Sequence, residues 1–342
     1  MNGTSLVCID FSEVEGMKQH EKIWGFFGIA GILMLILDSK TALTGSRDGL
    51  ELCIKTLVPS LLPFFICSGF VTKAFSGTSI RLLRPLATWF RIPRGAEYLL
   101  INAFLGGYPV GAQSIAAGYS QGYIPREEAQ RMLAYCSNAG PSFLFGICAQ
   151  AFHEGKDLWL LWGIHIFSAW LVSRCFPGRT TCEITGSPGG FNIQHAVSSA
   201  VKAMGMVCCW VIVFRITLQF LEKWILWRFP GSVQVLISGL LELSNGCCTL
   251  PSVENPQLRF VICSMILAFG GLCVTMQTLS VIEDLSPVPY LFGKLLHCLF
   301  SVMISIVCIT GRWKLLLLIG GLVYGALIIR KKLSGNLRKA IV

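Results

Sequence analysis

The sequence has little charge for its length. Only 13% of its 342 residues are Asp, Glu, Lys or Arg, whereas an ordinary soluble domain carries about 25%. Hydrophobic residues make up 54% of the chain, and the mean hydropathy is +0.65. This composition excludes an ordinary soluble domain and predicts an integral membrane protein.

The sequence also lacks the short motifs of common enzymes. It contains no HExxH and no phosphate-binding GxxxxGK[ST] pattern. Its 15 cysteines form no CxxC pair, and most lie in apolar runs, where a free cysteine behaves as a small hydrophobe. We therefore expect no enzyme activity, no catalytic residue, no cofactor and no metal site.

Apolar runs fill nearly the whole chain. Crossing a bilayer takes roughly 20 apolar residues, and ten runs are candidates. They are 23–37, 52–76, 98–118, 132–152, 158–176, 197–221, 233–253, 259–282, 290–310 and 314–330. Because no soluble segment of useful size remains, residues 1–342 are predicted to form a single membrane domain.

The net charge of +10 is concentrated in two places. The basic residues of the 77–97 loop and of the C-terminal tail are Arg81, Arg84, Arg91, Arg94, Arg330, Lys331, Lys332, Arg338 and Lys339. Short basic segments beside membrane spans mark the cytoplasmic side, so both termini and this loop are predicted to be cytoplasmic. Nucleic acid, which binds a basic face on a folded module, is not expected as a partner.

Three apolar segments contain residues that disfavour a continuous helix. "GGYPVGA" (106–112) lies in a stretch without any charge, and "SNAGP" (137–141) and "LELSNG" (241–246) interrupt two later segments. Irregular backbone at membrane depth is tolerated only where protein or a water-filled cavity surrounds it. These segments predict re-entrant hairpins that line a substrate cavity. A simple kink at a helix–helix contact is the alternative.

The chain also repeats an order of features. Residues 49–152 and 195–283 each hold a span with one lysine near its start, then a broken segment, then a segment with a polar or glycine-rich start. Residues 284–342 are left for C-terminal helices and a basic tail. The predicted fold is an all-α polytopic membrane protein with about eight transmembrane helices, two re-entrant hairpins (98–118 and 233–253) and an inverted repeat. Ten spans with parallel repeats is the alternative.

Polar side chains in or near the broken segments are the candidates for binding a substrate. They are Lys55, Gly107, Tyr108, Pro109, Gln113, Ser137, Asn138, Ser142, Lys202, Glu242, Ser244, Asn245, Thr275 and Gln277, with the glycine and proline included for their backbone.

Among these, Glu242 is the only carboxylate between Val233 and Val253. A charge at this depth is costly, so it is expected to face the cavity or to pair with Lys55 or Lys202. Each lysine has a simpler explanation, which is snorkelling to the interface.

One arginine and two histidines in the apolar runs are expected to have structural roles. Arg215 is interpreted as an interface anchor near the end of its span. His165 and His297 are expected to pack or to form local hydrogen bonds.

These motifs resemble a known family. "VPSLLPFFI" (58–66), "GGYPVGA", "PREEAQR" (125–131), "CSNAGPSFLFG" (136–146) and "LELSNG", in this order, are similar to the bacterial sporulation integral membrane proteins that carry the nucleoside-recognition, or gate, domain. The resemblance covers roughly residues 45–285. It implies a role in endospore formation, in which dipicolinic acid moves across the outer forespore membrane, and repeats similar to those of concentrative nucleoside transporters.

The residues themselves leave the substrate open. Dipicolinate needs positive potential, which Lys55, Lys202 and helix N-termini near Asn138 and Gly270 are expected to supply. A nucleoside would be better served by amides and a carboxylate such as Glu242. The resemblance favours the acid. A non-transporting sporulation scaffold is a third hypothesis, the bilayer is the expected environment, and self-association is left open.

Overall fold

The computed structural model describes residues 11–152, 154–176, 193–282 and 284–312, with a few positions beyond, and these residues form no strand. The helices of the first part are α1 (Phe11–Leu37), α2 (Ser39–Leu52), α3 (Val58–Phe75), α4 (Arg84–Trp89), α5 (Tyr98–Phe104), α6 (Val110–Ser120), α7 (Arg126–Leu133) and α8 (Pro141–Gly146). A π-helical turn, Cys53–Leu57, makes α2 and α3 one continuous rod.

The second part begins with a helix that separates the two broken regions. Its helices are α9 (Gly155–Cys175), α10 (Ile193–Trp224), α11 (Gly231–Leu241), α12 (Leu243–Thr249), α13 (Pro256–Phe269), α14 (Gly271–Leu279) and α15 (Val288–Thr310). The same order recurs in both parts: a long helix, a pair of short helices, and a helix interrupted in its middle. These are the α2–α3 rod, α5–α6 and α7–α8 in the first part, and α10, α11–α12 and α13–α14 in the second.

Within the described residues, five helical segments are long and apolar enough to cross a membrane. They are Ser39–Phe75, Gly155–Cys175, Ala196–Trp224, Pro256–Leu279 and Val288–Thr310. The protein is therefore a polytopic α-helical membrane protein, as its composition predicts. The repeat boundaries and the side of the membrane on which each terminus lies stay predictions.

The helices differ from the ten apolar runs in instructive ways. Runs 98–118, 132–152 and 233–253 are each divided into short helices. Glycine and proline fall at the first two breaks, whereas the third break falls at Glu242. Run 23–37 lies in α1, whose apolar part, Gly25–Leu37, is shorter than a full span. Most of run 314–330, like the basic tail after it, falls outside the described residues.

The long helices pack in two groups around the short ones. The α2–α3 rod lies along α10, and α15 packs against both α9 and α13. Two glycines of α2 permit the first contact, because a Cβ at Gly45 would lie 2.8 Å from the Cα of Ile216, and one at Gly49 would lie 3.0 Å from the Cα of Ile212. Close approach at small residues is the usual way in which membrane helices associate.

Candidate functional site

The first pair of short helices forms an antiparallel hairpin. Gly118 of α6 faces Tyr98 of α5, and the Asn102 side-chain amide donates a hydrogen bond of 2.8 Å to the Ser114 hydroxyl. The chain reverses at 105–109, where Gly107 has a φ of +78°, a value that glycine adopts without strain. Residues 105–109, which contain no charged side chain, are the first hairpin tip.

The first hairpin tip packs on the unwound segment between α7 and α8. A Cβ at Gly107 would lie 3.1 Å from the backbone nitrogen of Gly140, and one at Gly111 only 1.9 Å from the Cys136 carbonyl oxygen. Residues 134–140, here named the first break, therefore touch the hairpin backbone directly. Larger residues at these glycines would separate the two segments.

The second pair of short helices, α11 and α12, makes a tighter hairpin. A Cβ at Gly246 would lie 2.2 Å from the Cα of Gly239, so the two helices cross in backbone contact. The single residue between them is Glu242, which is 1% exposed. Its carboxylate accepts hydrogen bonds from the Ser244 N–H (3.0 Å) and the Asn245 N–H (2.6 Å), and so caps α12.

The second hairpin tip meets an interruption in its own half of the chain. Gly270, with a φ of +83°, ends α13, and α14 begins at Gly271. A Cβ at Gly271 would lie 3.0 Å from the Gly239 carbonyl and 3.2 Å from the Leu243 backbone nitrogen. The second break, Gly270–Gly271, thus faces the tip at Glu242 as the first break faces its own hairpin.

Both tips and both broken helices line one small cavity of about 30 Å³, which we call the central cavity. Its wall includes Gly107, Tyr108, Ala139 and Gly140 from the first half, Glu242, Ser244, Val274 and Gln277 from the second, and Leu57, Leu61, Val207 and Val211 from α10 and the α2–α3 rod. Freed backbone groups and a few polar side chains therefore surround a space between two membrane-crossing helices.

The structure brings together only part of the predicted set. Five of these residues line the central cavity: Gly107, Tyr108, Glu242, Ser244 and Gln277. Others are buried in the same elements without lining it: Pro109, Ser137, Asn138, Asn245 and Thr275. Ser142 is half-buried at the start of α8, and Gln113 lines a different cavity, of about 170 Å³, together with Thr72 and Lys73.

The two predicted lysines are not part of this site. Lys55 and Lys202 are exposed on the outside of their helices, and Lys55 pairs with Glu51 at 2.6 Å. The prediction that either lysine pairs with Glu242 is wrong, because the amides of α12 satisfy that carboxylate. The sequence pattern does not determine whether a lysine near the start of a span faces the protein interior or the outside. In this structure both lysines face outward.

Arg215 is more than the predicted interface anchor. Its side chain is only 16% exposed and lies near Asp48 and Glu222, each at 3.3 Å. It also donates a 2.7 Å hydrogen bond to the side-chain oxygen of Asn245 on α12. Arg215 therefore links the second hairpin to α10 and to α2.

The sequence reasoning missed Lys294. This residue of α15 is 2% exposed, and its ammonium donates hydrogen bonds to the Tyr108 hydroxyl and, at 3.1 Å, to the Ser137 carbonyl. It is the only charged side chain in Val288–Thr310, which is the signal that identified Glu242. Lys294 joins the first hairpin tip to the first break.

The two membrane histidines make local hydrogen bonds, as predicted. The Ala139 N–H donates to the Nε2 atom of His165 at 3.1 Å, and the Nε2 atom of His297 bonds the His165 carbonyl at 2.9 Å. They hold α9 and α15 against the first break. In the part of the chain that the structure describes, no group of His, Cys, Asp or Glu is arranged to hold a metal ion.

Fold and site together define a polytopic membrane protein with a cavity between two broken-helix regions. A sporulation integral membrane protein of Bacillus subtilis (strain 168), YlbJ, is 24% identical to this chain over a 324-residue alignment that covers 79% of this chain and 78% of that protein. No family model matches the chain. No solved structure matches it either. The predicted resemblance to sporulation membrane proteins is thus supported, and the gate domain stays a prediction.

Proposed function

We propose that this protein is a transporter that moves a small polar or anionic metabolite through the central cavity, most readily dipicolinic acid during endospore formation. The observation behind the proposal is the meeting of two hairpin tips and two helix breaks at one cavity. Transporters commonly bind substrates where interrupted helices of two repeats meet, because the freed backbone groups become ligands there.

The sporulation part of the proposal depends on the similarity to YlbJ, whose name describes a sporulation integral membrane protein. A spore-forming cell must move solutes between two compartments, and a protein of this build would serve that need in the membrane around the forespore. We propose that location, with both termini in the cytoplasm.

A nucleoside is the second candidate substrate. The Glu242 carboxylate, the Ser244 hydroxyl and the Gln277 amide line the cavity, and such groups suit ribose hydroxyls and base edges. The lining residues alone serve this substrate as well as they serve the acid. The similarity to a sporulation protein favours dipicolinate over a nucleoside.

The test is uptake by proteoliposomes that contain the purified protein, with labelled dipicolinate and labelled uridine measured in parallel. Saturable uptake of dipicolinate alone is expected. Uptake of uridine alone would assign the protein to the nucleoside class instead. Absence of both from folded protein would contradict transport by this chain alone and would favour a sporulation scaffold.

A further inference from the structure

Lys294 is an unusual group for the interior of this protein. Its side chain is buried between the first hairpin tip and the first break, and its ammonium lies 4.5 Å from the centroid of the Tyr108 ring. Its hydrogen-bond acceptors are a neutral hydroxyl and a backbone carbonyl. Among the described residues no carboxylate forms an ion pair with it, although other lysines and arginines there do form such pairs.

A buried ammonium without a counter-ion is costly. Removing it from water costs several kcal/mol by order of magnitude, and ordinarily a carboxylate offsets this cost. Intramembrane charges that lack a structural partner commonly lie on the path of a substrate or an ion. The missing negative charge is therefore something that the transported molecule can supply.

The surroundings of Lys294 are suited to an anion. The Ser137 hydroxyl is buried and has no hydrogen-bond partner among the described residues, although the carbonyl of the same residue accepts a hydrogen bond from Lys294. A free hydroxyl on the residue whose carbonyl binds the ammonium, with no carboxylate of the described residues paired to that ammonium, suits a carboxylate ligand. By contrast, the carboxylate of Glu242, on the other hairpin, is already satisfied by two amides.

The lysine is one side chain away from the central cavity. Tyr108 lines that cavity, while its hydroxyl accepts a hydrogen bond from Lys294 and donates one of 3.1 Å to the Leu267 carbonyl of α13. A carboxylate that takes the place of the Tyr108 hydroxyl at the ammonium would also loosen the link to Leu267. Binding of the anion would thereby free the first hairpin tip from the second half of the chain.

We propose that Lys294 is the residue that recognises the carboxylate of the transported molecule, with the Ser137 hydroxyl as a second donor, so that the substrate class is a small organic anion. This inference rests on the proposed transport function. It assigns the recognition of negative charge to α15 and the first break, and not to the two exposed lysines.

The first test uses the wild-type protein alone. Binding of labelled dipicolinate to purified protein is measured by equilibrium dialysis, with unlabelled pyridine-2,6-dicarboxylate and its neutral diamide as competitors. The diacid is expected to compete and the diamide to fail. Equal competition by the diamide would overturn the proposal without any variant that has to fold.

The second test compares variants for binding and for proteoliposome uptake. Lys294→Gln is expected to weaken dipicolinate binding by about tenfold or more, since hydrogen bonds to charged groups contribute on the order of 1.5–3 kcal/mol. Lys294→Arg should restore part of the binding, and Lys202→Gln, on an exposed lysine, should match wild type. Wild-type binding by Lys294→Gln would overturn the assignment.

The two measurements separate this inference from the transport function. If the Lys294→Gln variant takes up dipicolinate as wild type does, the transport function stands and the proposed role of Lys294 is contradicted. If dipicolinate binding depends on Lys294 but wild type shows no uptake, the anion site stands and the transport function is contradicted. A wild-type protein that neither binds nor moves dipicolinate would overturn both.

Discussion

The two hairpin tips occupy corresponding places at the central cavity but are held in different ways. The second tip is held mainly within its own hairpin, because the Glu242 carboxylate caps the helix that follows it. Arg215 of α10, the helix just before this hairpin, also bonds Asn245. The first tip has no charge of its own. Its Tyr108 is held by Lys294 of α15 and by the Leu267 carbonyl of α13.

The second tip is thus held by groups close to it in the sequence, and the first tip by groups far from it in the sequence. The position of the second tip depends on its own hairpin and on the neighbouring α10. The position of the first tip depends on elements far along the chain, so a ligand at Lys294 would act on it directly. We infer that the first hairpin is the one that responds to substrate and that the second is the fixed side of the site.

The largest effect is expected where hairpin backbone meets broken backbone. Gly111→Ala would place a methyl group 1.9 Å from the Cys136 carbonyl oxygen, and backbone on both sides prevents relief. Overpacking of this kind costs about 1–3 kcal/mol or more, so the yield of folded protein and its unfolding temperature in detergent should fall sharply. Gly163→Ala, where a Cβ would meet no atom within 4 Å, is the control. Equal stability of the two variants would contradict the described contact.

A smaller effect is expected at the second tip. Glu242→Gln leaves one acceptor oxygen for two N–H groups and should lower stability by about 1–3 kcal/mol, the cost of an unsatisfied buried donor. Hydrogen exchange measured by mass spectrometry should rise in 231–253 and stay unchanged in 98–120.

The control for this change is Glu154→Gln. Glu154 also precedes a helix, α9, but makes no capping hydrogen bond. Rapid exchange in the first hairpin of Glu242→Gln would show that the second tip is not anchored locally.

At the first tip, Tyr108→Phe removes the hydroxyl between Lys294 and Leu267 but keeps the ring. The loss should be about 1 kcal/mol, with hydrogen exchange rising in 98–120 and not in 231–253. Tyr119→Phe, on the half-buried tyrosine of α6, serves as the control within the same hairpin. The comparison between the tips fails if Tyr108→Phe leaves exchange in the first hairpin at the wild-type rate.

The smallest effect is expected at the lysines that the sequence pattern favoured. Lys202→Gln and Lys55→Gln change exposed side chains away from the cavity, and surface substitutions usually stay within about 0.5 kcal/mol. Uptake and unfolding temperature should match wild type for both. A loss of uptake in either would restore that lysine to the transport pathway.

The helix breaks could be predicted because their cause is local. "GGYPVGA" contains glycine and proline, which disfavour a helix, and α5 ends at Phe104 just before them. In "LELSNG" the glycine lies inside α12, and the break falls at Glu242, whose carboxylate caps that helix. Gly270, near which the sequence predicts a helix N-terminus, is where α13 ends and α14 follows.

The contacts of charged side chains could not be predicted in the same way. Lys55 and Lys202 stand near the starts of spans and face outward, whereas Lys294 stands in an otherwise ordinary span and faces inward. Which face a lysine occupies depends on the rotation of its helix against distant neighbours, here Tyr108 and Ser137. The spacing of residues within Val288–Thr310 does not predict these contacts.

The most direct measurement fills the central cavity from a helix that belongs to neither hairpin. Val211 of α10 is 2% exposed and lines the cavity, while Val213 on the same helix is 51% exposed. Val211→Phe should reduce the initial rate of dipicolinate uptake by about tenfold or more, because small misplacements in a binding site have large effects. Val213→Phe should leave it unchanged, and both variants are compared as folded protein that elutes as wild type does. Wild-type uptake by folded Val211→Phe would contradict the claim that substrate passes through this cavity.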